Sequence, residues 1–251
     1  MSEQENALLL WLTLKHGLAA HSDVNLAIAY YNSAIEQTND PAILANLYLA
    51  RGCGYGEKGE NERAIADYIE AIQLDSTLSG AYEMRGRAYK RLKLYDQAIS
   101  DYSQAIQLEP NSSEIYRNRG DAFSAKGDFA AAIADYDEAI KRDPSNVVAY
   151  INRGESRRSK GLLNDAIEDQ TKAIELDPKS ALAYFNRGAT FNEIREYEKA
   201  ITDFEKYLEL GGGKINGNQL STQEMITFLK GKVAYLKAKE PPNKPRWKFW
   251  A

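Results

Sequence analysis

The chain is poor in the residues that carry most enzyme and metal chemistry. Its 251 residues include two histidines, one cysteine and three methionines. A lone cysteine, Cys53, excludes an internal disulfide and fits a reducing compartment. His16 and His21 stand five apart, so on a helix they point in different directions and pair poorly for one metal. There is no glycine-rich phosphate loop and no serine-nucleophile motif. No apolar run approaches the ~20 residues of a membrane span. The start has Glu3 and Glu5 where a secretory signal carries positive charge. The expectation is a cytoplasmic, non-enzymatic protein with neither cofactor nor metal.

What is present suffices for a folded body: 43% of residues are hydrophobic and 27% charged. The net charge of −4 is unevenly spread. Residues 214–251 hold eight Lys/Arg and two acids, a balance of +6, and the remainder stands at −10. An acidic body argues against nucleic acid as partner, while the basic end can have a partner of its own.

A 34-residue phrase organises the body. Residues 113–146, SEIYRNRGDAFSAKGDFAAAIADYDEAIKRDPSN, have Tyr at position 4, Arg-Gly at 7 and 8, and an aromatic at 11. Ala follows at 20, Tyr at 24, Ala at 27 and Pro at 32. The block 79–112 repeats this with Tyr82, Arg85, Gly86, Tyr89, Ala98, Tyr102, Ala105 and Pro110. Further copies lie at 45–78, 147–180 and 181–214, and a degenerate one at 8–41. The last copy carries Tyr207 where the small residue belongs, and Gly211-Gly212-Gly213 where the proline belongs.

This period and its small–aromatic–small pattern resemble the tetratricopeptide repeat, a helix–turn–helix unit. The resemblance implies an all-α, right-handed superhelical solenoid of antiparallel helix pairs, with six repeats and a C-terminal capping helix. Asp40-Pro41 reads as a helix start. Ser221 and Glu224 have capping-box spacing for a final helix over about 222–239, after a loop from 215. Met225, Leu229, Val233 and Leu236 recur along that helix at helical spacing, with lysines on its outer side. Residues 240–251, EPPNKPRWKFWA, form an irregular tail.

Positions 4, 8 and 11 share one stripe of the first helix, and 20, 24 and 27 one stripe of the second, so these are the expected packing positions. Gly52, Gly54 and Gly56 fall in one helix and predict a soft one. Arg157 and Gln170, standing for aromatics in the copy at 147, predict looser packing there. Arg at 7 and Asp at 23 occur together in all five good copies (Arg51/Asp67, Arg85/Asp101, Arg119/Asp135, Arg153/Asp169, Arg187/Asp203) and are both missing from the degenerate one. Charges that come and go together predict an ion pair joining the two helices.

Positions 2, 5, 6, 9, 12 and 13 then remain for the inner face, where proteins of the resembled family hold a partner's peptide or helix. Position 6 reads Asn118, Asn152 and Asn186 in three successive copies. An amide can both donate to and accept from a peptide backbone, and stacked helices ~8–10 Å apart would meet roughly every third residue of an extended peptide. The arrangement is similar to the asparagine ladder in the repeat region of O-GlcNAc transferase; the alternative is three ordinary polar surface residues. Around it lie Glu83, Arg87, Lys90, Arg117, Asp121, Glu155 and Arg158, of mixed sign. A carboxylate clamp of the co-chaperone kind is not expected, because Asp121, Leu182 and Asn186 break its Lys/Asn/Arg pattern. His16 and Cys53 share position 9 of adjacent copies and leave either a Cys–His dyad or ordinary groove lining. In the tail, Arg246, Trp247, Lys248, Phe249 and Trp250 mix basic and aromatic residues. Such a mixture suits a membrane interface or a partner groove, and makes a membrane-associated adaptor the alternative function.

Overall fold

The computed structural model describes residues 24–212 and 219–239. Among these there are twelve helices and no strand, in two compact units that divide between Pro144 and Ser145. The first unit holds α1 (Val24–Gln37), α2 (Pro41–Glu57), α3 (Asn61–Leu74), α4 (Ser79–Arg91), α5 (Tyr95–Leu108), α6 (Ser113–Lys126) and α7 (Phe129–Arg142). The second holds α8 (Val147–Ser159), α9 (Leu163–Leu176), α10 (Ala181–Glu193), α11 (Tyr197–Glu209) and α12 (Gln219–Lys239). Each 34-residue copy is one helix pair: α2–α3, α4–α5 and α6–α7 in the first unit, α8–α9 and α10–α11 in the second. The first helix expected for the copy at 8–41 lies outside the described residues.

Sequence dictates these helices locally. Asp40 accepts hydrogen bonds from the Ala42 and Ile43 amides at 2.9 and 3.3 Å, with Pro41 at the first turn. Within a pair the chain reverses at position 15 in the left-handed region: Gly59, Lys93, Gly127, Gly161 and Arg195 have φ of +77°, +62°, +91°, +78° and +66°. The last helix begins at Gln219, so Ser221 lies inside it and is not its cap.

In each unit the core consists of small residues wedged by rings. Position 20 is alanine in every copy (Ala27, Ala64, Ala98, Ala132, Ala166, Ala200) and fully buried. Position 24 buries Tyr31, Tyr68, Tyr102, Tyr136 and Phe204, each ring contributing on the order of 2 kcal/mol. The glycine at position 8 admits that ring: a Cβ on Gly120 would lie 2.8 Å from the Tyr136 ring, and one on Gly52 2.6 Å from that of Tyr68. On the first helix of each pair the buried stripe differs from the expected one. Position 8 is buried as expected (Gly52, Gly86, Gly120, Gly154, Gly188), but its buried companions are position 3 (Leu47, Ala81, Ile115, Ala149, Ala183) and position 10 (Gly54, Ala88, Ala122, Ser156, Thr190). The aromatics at 4 and 11 are half-buried, because they flank the arginine at 7 and leave the interior to smaller side chains.

That arginine is the joint of each pair. Arg119 grips Asp135 through two bonds of 2.7 and 2.8 Å while its guanidinium lies 5.7 Å from the Tyr116 ring and 6.0 Å from Phe123. Arg51, Arg85, Arg153 and Arg187 hold Asp67, Asp101, Asp169 and Asp203 in the same bidentate way. A third bond reaches the preceding copy: Arg51 to Asn32 at 2.8 Å, Arg119 to Ser103 at 3.0 Å, Arg187 to Thr171 at 3.2 Å. In the copy at 147, Arg157 takes the aromatic's place and puts a second arginine on Asp169 at 2.8 Å. Gln170 there is fully buried and accepts from the Thr190 hydroxyl at 3.0 Å, so a polar contact occupies the ring's site.

The three glycines of α2 do not interrupt it; the helix runs through all of them. Gly54 is a close approach, its would-be Cβ 3.0 Å from Ile28, and the Gly56 carbonyl accepts from Arg91 at 2.7 Å. After α11 the chain turns at Gly211, with φ of +82°, and Gly212 lies against the Tyr207 ring too closely for any Cβ. Tyr207 in turn meets Phe185 at 5.0 Å, which is how a tyrosine replaces the small residue of earlier copies.

Candidate peptide-binding face

α4 and α6 run side by side in the first unit's stack and bring Glu83, Arg87, Lys90, Arg117, Asn118 and Asp121 into one network. Arg87 lies 3.2 Å from both Glu83 and Glu114. Arg117 lies 3.3 Å from Glu114 and from Asp121, and Lys90 lies 3.3 Å from Asp121. The Tyr136 hydroxyl donates to Asp121 at 2.9 Å. Three cations face three carboxylates, so the face is crowded with charge yet neutral.

These pairs differ in kind from the arginine joints. The joints are bidentate, 2.7–2.8 Å at Arg119–Asp135, on aspartates almost fully buried. The network's pairs are 3.2–3.3 Å long, single and shared, on side chains that water reaches. Short desolvated pairs hold a fold together; long shared ones can exchange a partner for a ligand group at little cost.

Asn118 occupies a special place. It is only 3% exposed, and its amide Nδ2 donates to Glu83 Oε1 at 2.9 Å. It therefore fixes Glu83. Burial pushes the Glu83 carboxyl above the usual carboxylate range, with Arg87 partly offsetting the rise. Beneath the face, the Tyr102 hydroxyl is buried and without a hydrogen-bond partner among the described atoms. The sequence marks Tyr102 and Tyr136 as packing residues and does not point to Glu114, Tyr102 or Tyr136 as part of this face. Glu114 stands at position 2, already assigned to the inner face, whereas only packing brings the tyrosine hydroxyls there.

In the second unit, α8 and α10 carry Asn152 and Asn186, both half-buried. Arg158 donates to Glu155 at 3.1 Å and also bonds Glu193, which raises its already high pKa. Cys53, in the first unit, borders a cleft of about 180 Å³ with Tyr68, Met84, Arg87 and Arg91. Burial raises its thiol pKa, the opposite of what a nucleophile needs. His16 lies outside the described residues, as do Arg246, Trp247, Lys248, Phe249 and Trp250.

Two models described as Tetratricopeptide repeat match the sequence. One covers 49–113, 83–147 and 117–181, more than half of the chain, and the other 170–202. The chain belongs to the tetratricopeptide repeat family. Repeats of this family generally serve as non-catalytic interaction modules. Among solved structures the chain is similar to MamA, at 25% identity and a TM-score of 0.61, covering 69% of this chain and 94% of that one. It is also similar to YrrB, described as a TPR protein with an unusual peptide-binding site, at 24% identity, a TM-score of 0.59, and 72% and 91% coverage. PilW, a type IV pilus biogenesis factor, matches at 20% identity and a TM-score of 0.63, with 78% and 94% coverage. The last two likenesses speak for the fold alone. Comparison with curated proteins gives no match. Among the described residues of this repeat protein, no helix is long and apolar enough to cross a membrane.

Proposed function

We propose that this protein is a cytoplasmic, non-enzymatic scaffold that holds an extended segment of a partner protein on its inner helix faces, chiefly that of α4 and α6. The observation that carries the reading is the neutral, long-bonded network of Glu83, Arg87, Lys90, Glu114, Arg117 and Asp121, set beside much tighter structural pairs in the same repeats. A peptide laid across it can exchange its own charges and backbone groups into those pairs. Asn118 acts through Glu83, holding the carboxylate in place. Asn152, Asn186, Glu155 and Arg158 offer the same mixture of amide and charge in the second unit. YrrB, of the same fold, has a peptide-binding site by its own description, which agrees with the proposal.

The test is an array of immobilised short peptides of varied sequence, probed with the full chain and with Arg87→Ala/Arg117→Ala. Each residue is partly exposed, so the variant should keep its melting temperature and lose most of the array signal. Retention of every hit by the variant would reject this face.

A further inference from the structure

The last helix is apolar well beyond the strip that it buries. One side, Thr222, Ile226, Leu229 and half-buried Val233, closes the core over α11, where Tyr197, Ile201 and Phe204 lie. The sequence-based stripe is thus rotated: Met225 and Leu236 sit at its exposed edge, at 36% and 46% exposure. Beyond that edge Phe228 is 66% exposed and Tyr235 58%. At 100° per residue Phe228, Lys232, Met225, Tyr235 and Leu236 share one arc about 100° wide. With Gln223, Glu224, Thr227 and Gly231 the two rings border a wide-open hollow of about 650 Å³.

This is not the polar outer face that ends a repeat array. Its charge says what covers it. α12 carries Lys230, Lys232, Lys237 and Lys239 against Glu224, and residues 214–251 together stand at +6 while the rest of the chain stands at −10. Lys230 and Lys237 lean onto Glu205 and Glu198 of α11 at 2.7 and 2.6 Å. Lys232 stays on the aromatic side, 5.7 Å from the Phe228 ring and 4.6 Å from that of Tyr197. The tail continues the same chemistry with Lys244, Arg246 and Lys248 among Trp247, Phe249 and Trp250.

We propose that the Met225–Phe228–Tyr235–Leu236 face of α12 docks the protein on an anionic lipid bilayer, with its aromatic rings at headgroup level and its lysines among the phosphates. Helices that lie in the interface combine such an apolar strip with basic flanks, and tyrosine is enriched at that depth. An anionic surface attracts the basic end and repels the acidic body, which fixes the orientation. The proposal is independent of the α4–α6 face, and either stands if the other fails.

The test is flotation of the full chain with vesicles of phosphatidylcholine alone and of phosphatidylcholine with phosphatidylglycerol, at low and high salt. Binding is expected only to the anionic vesicles, weakened by salt. In Phe228→Ser/Tyr235→Ser it should fall about tenfold with an unchanged melting temperature, because both rings are exposed and lie off the core. Equal flotation of wild type and variant, or equal binding to neutral vesicles, overturns it. So does a wild-type dimer that the variant makes monomeric while neither floats, since a second copy is then the occupant. A Trp247→Ser/Trp250→Ser chain that no longer floats, beside a Phe228/Tyr235 variant that does, assigns binding to the tail and overturns the helix.

Discussion

At the scale of single residues, packing and function make opposite demands on glycine and charge. Gly120 is held against the Tyr136 ring by geometry: a methyl group there would lie 2.8 Å from a side chain buried on all sides. Gly120→Ala gains about 1 kcal/mol of helix propensity and loses more to overpacking, so the net should be a destabilisation of roughly 1–2 kcal/mol. At Gly154 the neighbours stand farther off, Gln170 Cγ at 3.2 Å and the Ala166 carbonyl oxygen and Asp169 Cβ at 3.3 Å, so Gly154→Ala should cost less than Gly120→Ala. Thermal unfolding of the two variants side by side checks the contrast. Glu83 gives a pH test. Its carboxyl has a raised pKa in the folded state because of burial. The protonated form thus favours folding at low pH, and this stability is lost as pH rises from the unfolded value through the folded one. Glu83→Gln still accepts from Asn118 and removes the titration, so its melting temperature should gain on wild type as pH rises from about 4 to about 7. A gap independent of pH would contradict the assigned burial.

At the scale of helices and turns, two features decide how a pair closes. The reversal at position 15 needs a positive φ, which Gly59, Gly127 and Gly161 supply freely and Lys93 and Arg195 do not. Lys93→Gly should therefore stabilise by up to about 1 kcal/mol, and Gly127→Ala should destabilise by about as much, read by chemical denaturation. The arginine joint makes the second prediction. Asp135→Ala strands Arg119, which loses both bonds to its carboxylate, and should cost about 3 kcal/mol. Arg119→Met/Asp135→Leu removes both charges and should cost much less, the outcome that separates a desolvated pair from a simple sum of attractions. The first pairing was legible from columns of the sequence alone, because Arg and Asp are present or absent together. The sandwich of that arginine between positions 4 and 11 was not, since ring contact depends on which stripe faces inward. Positions 3 and 10 hold small or aliphatic residues in most copies, and reading those columns would have found the buried stripe.

At the scale of the molecule, repetition made the fold readable: a recurring phrase states its period, its hairpin and its packing residues several times over. The candidate site was less readable, because a binding face is defined by what repeats leave unequal. Asn118 belongs to a run of three asparagines in sequence, yet neighbouring Glu83 captures it, and only the stacking of α4 on α6 reveals that. The exposed face of α12 was concealed for a related reason, since an apolar surface that runs on past the buried strip gives no clean stripe to read. The central claim is that the α4–α6 face receives a partner's extended segment. A photoreactive side chain placed at Lys90, on that face, and separately at exposed Gln104 of α5, tests it in the native cell. The account predicts adducts at Lys90 that map to one short stretch of a partner, and none at Gln104. Equal yields at both positions, or adducts at Gln104 alone, would contradict it.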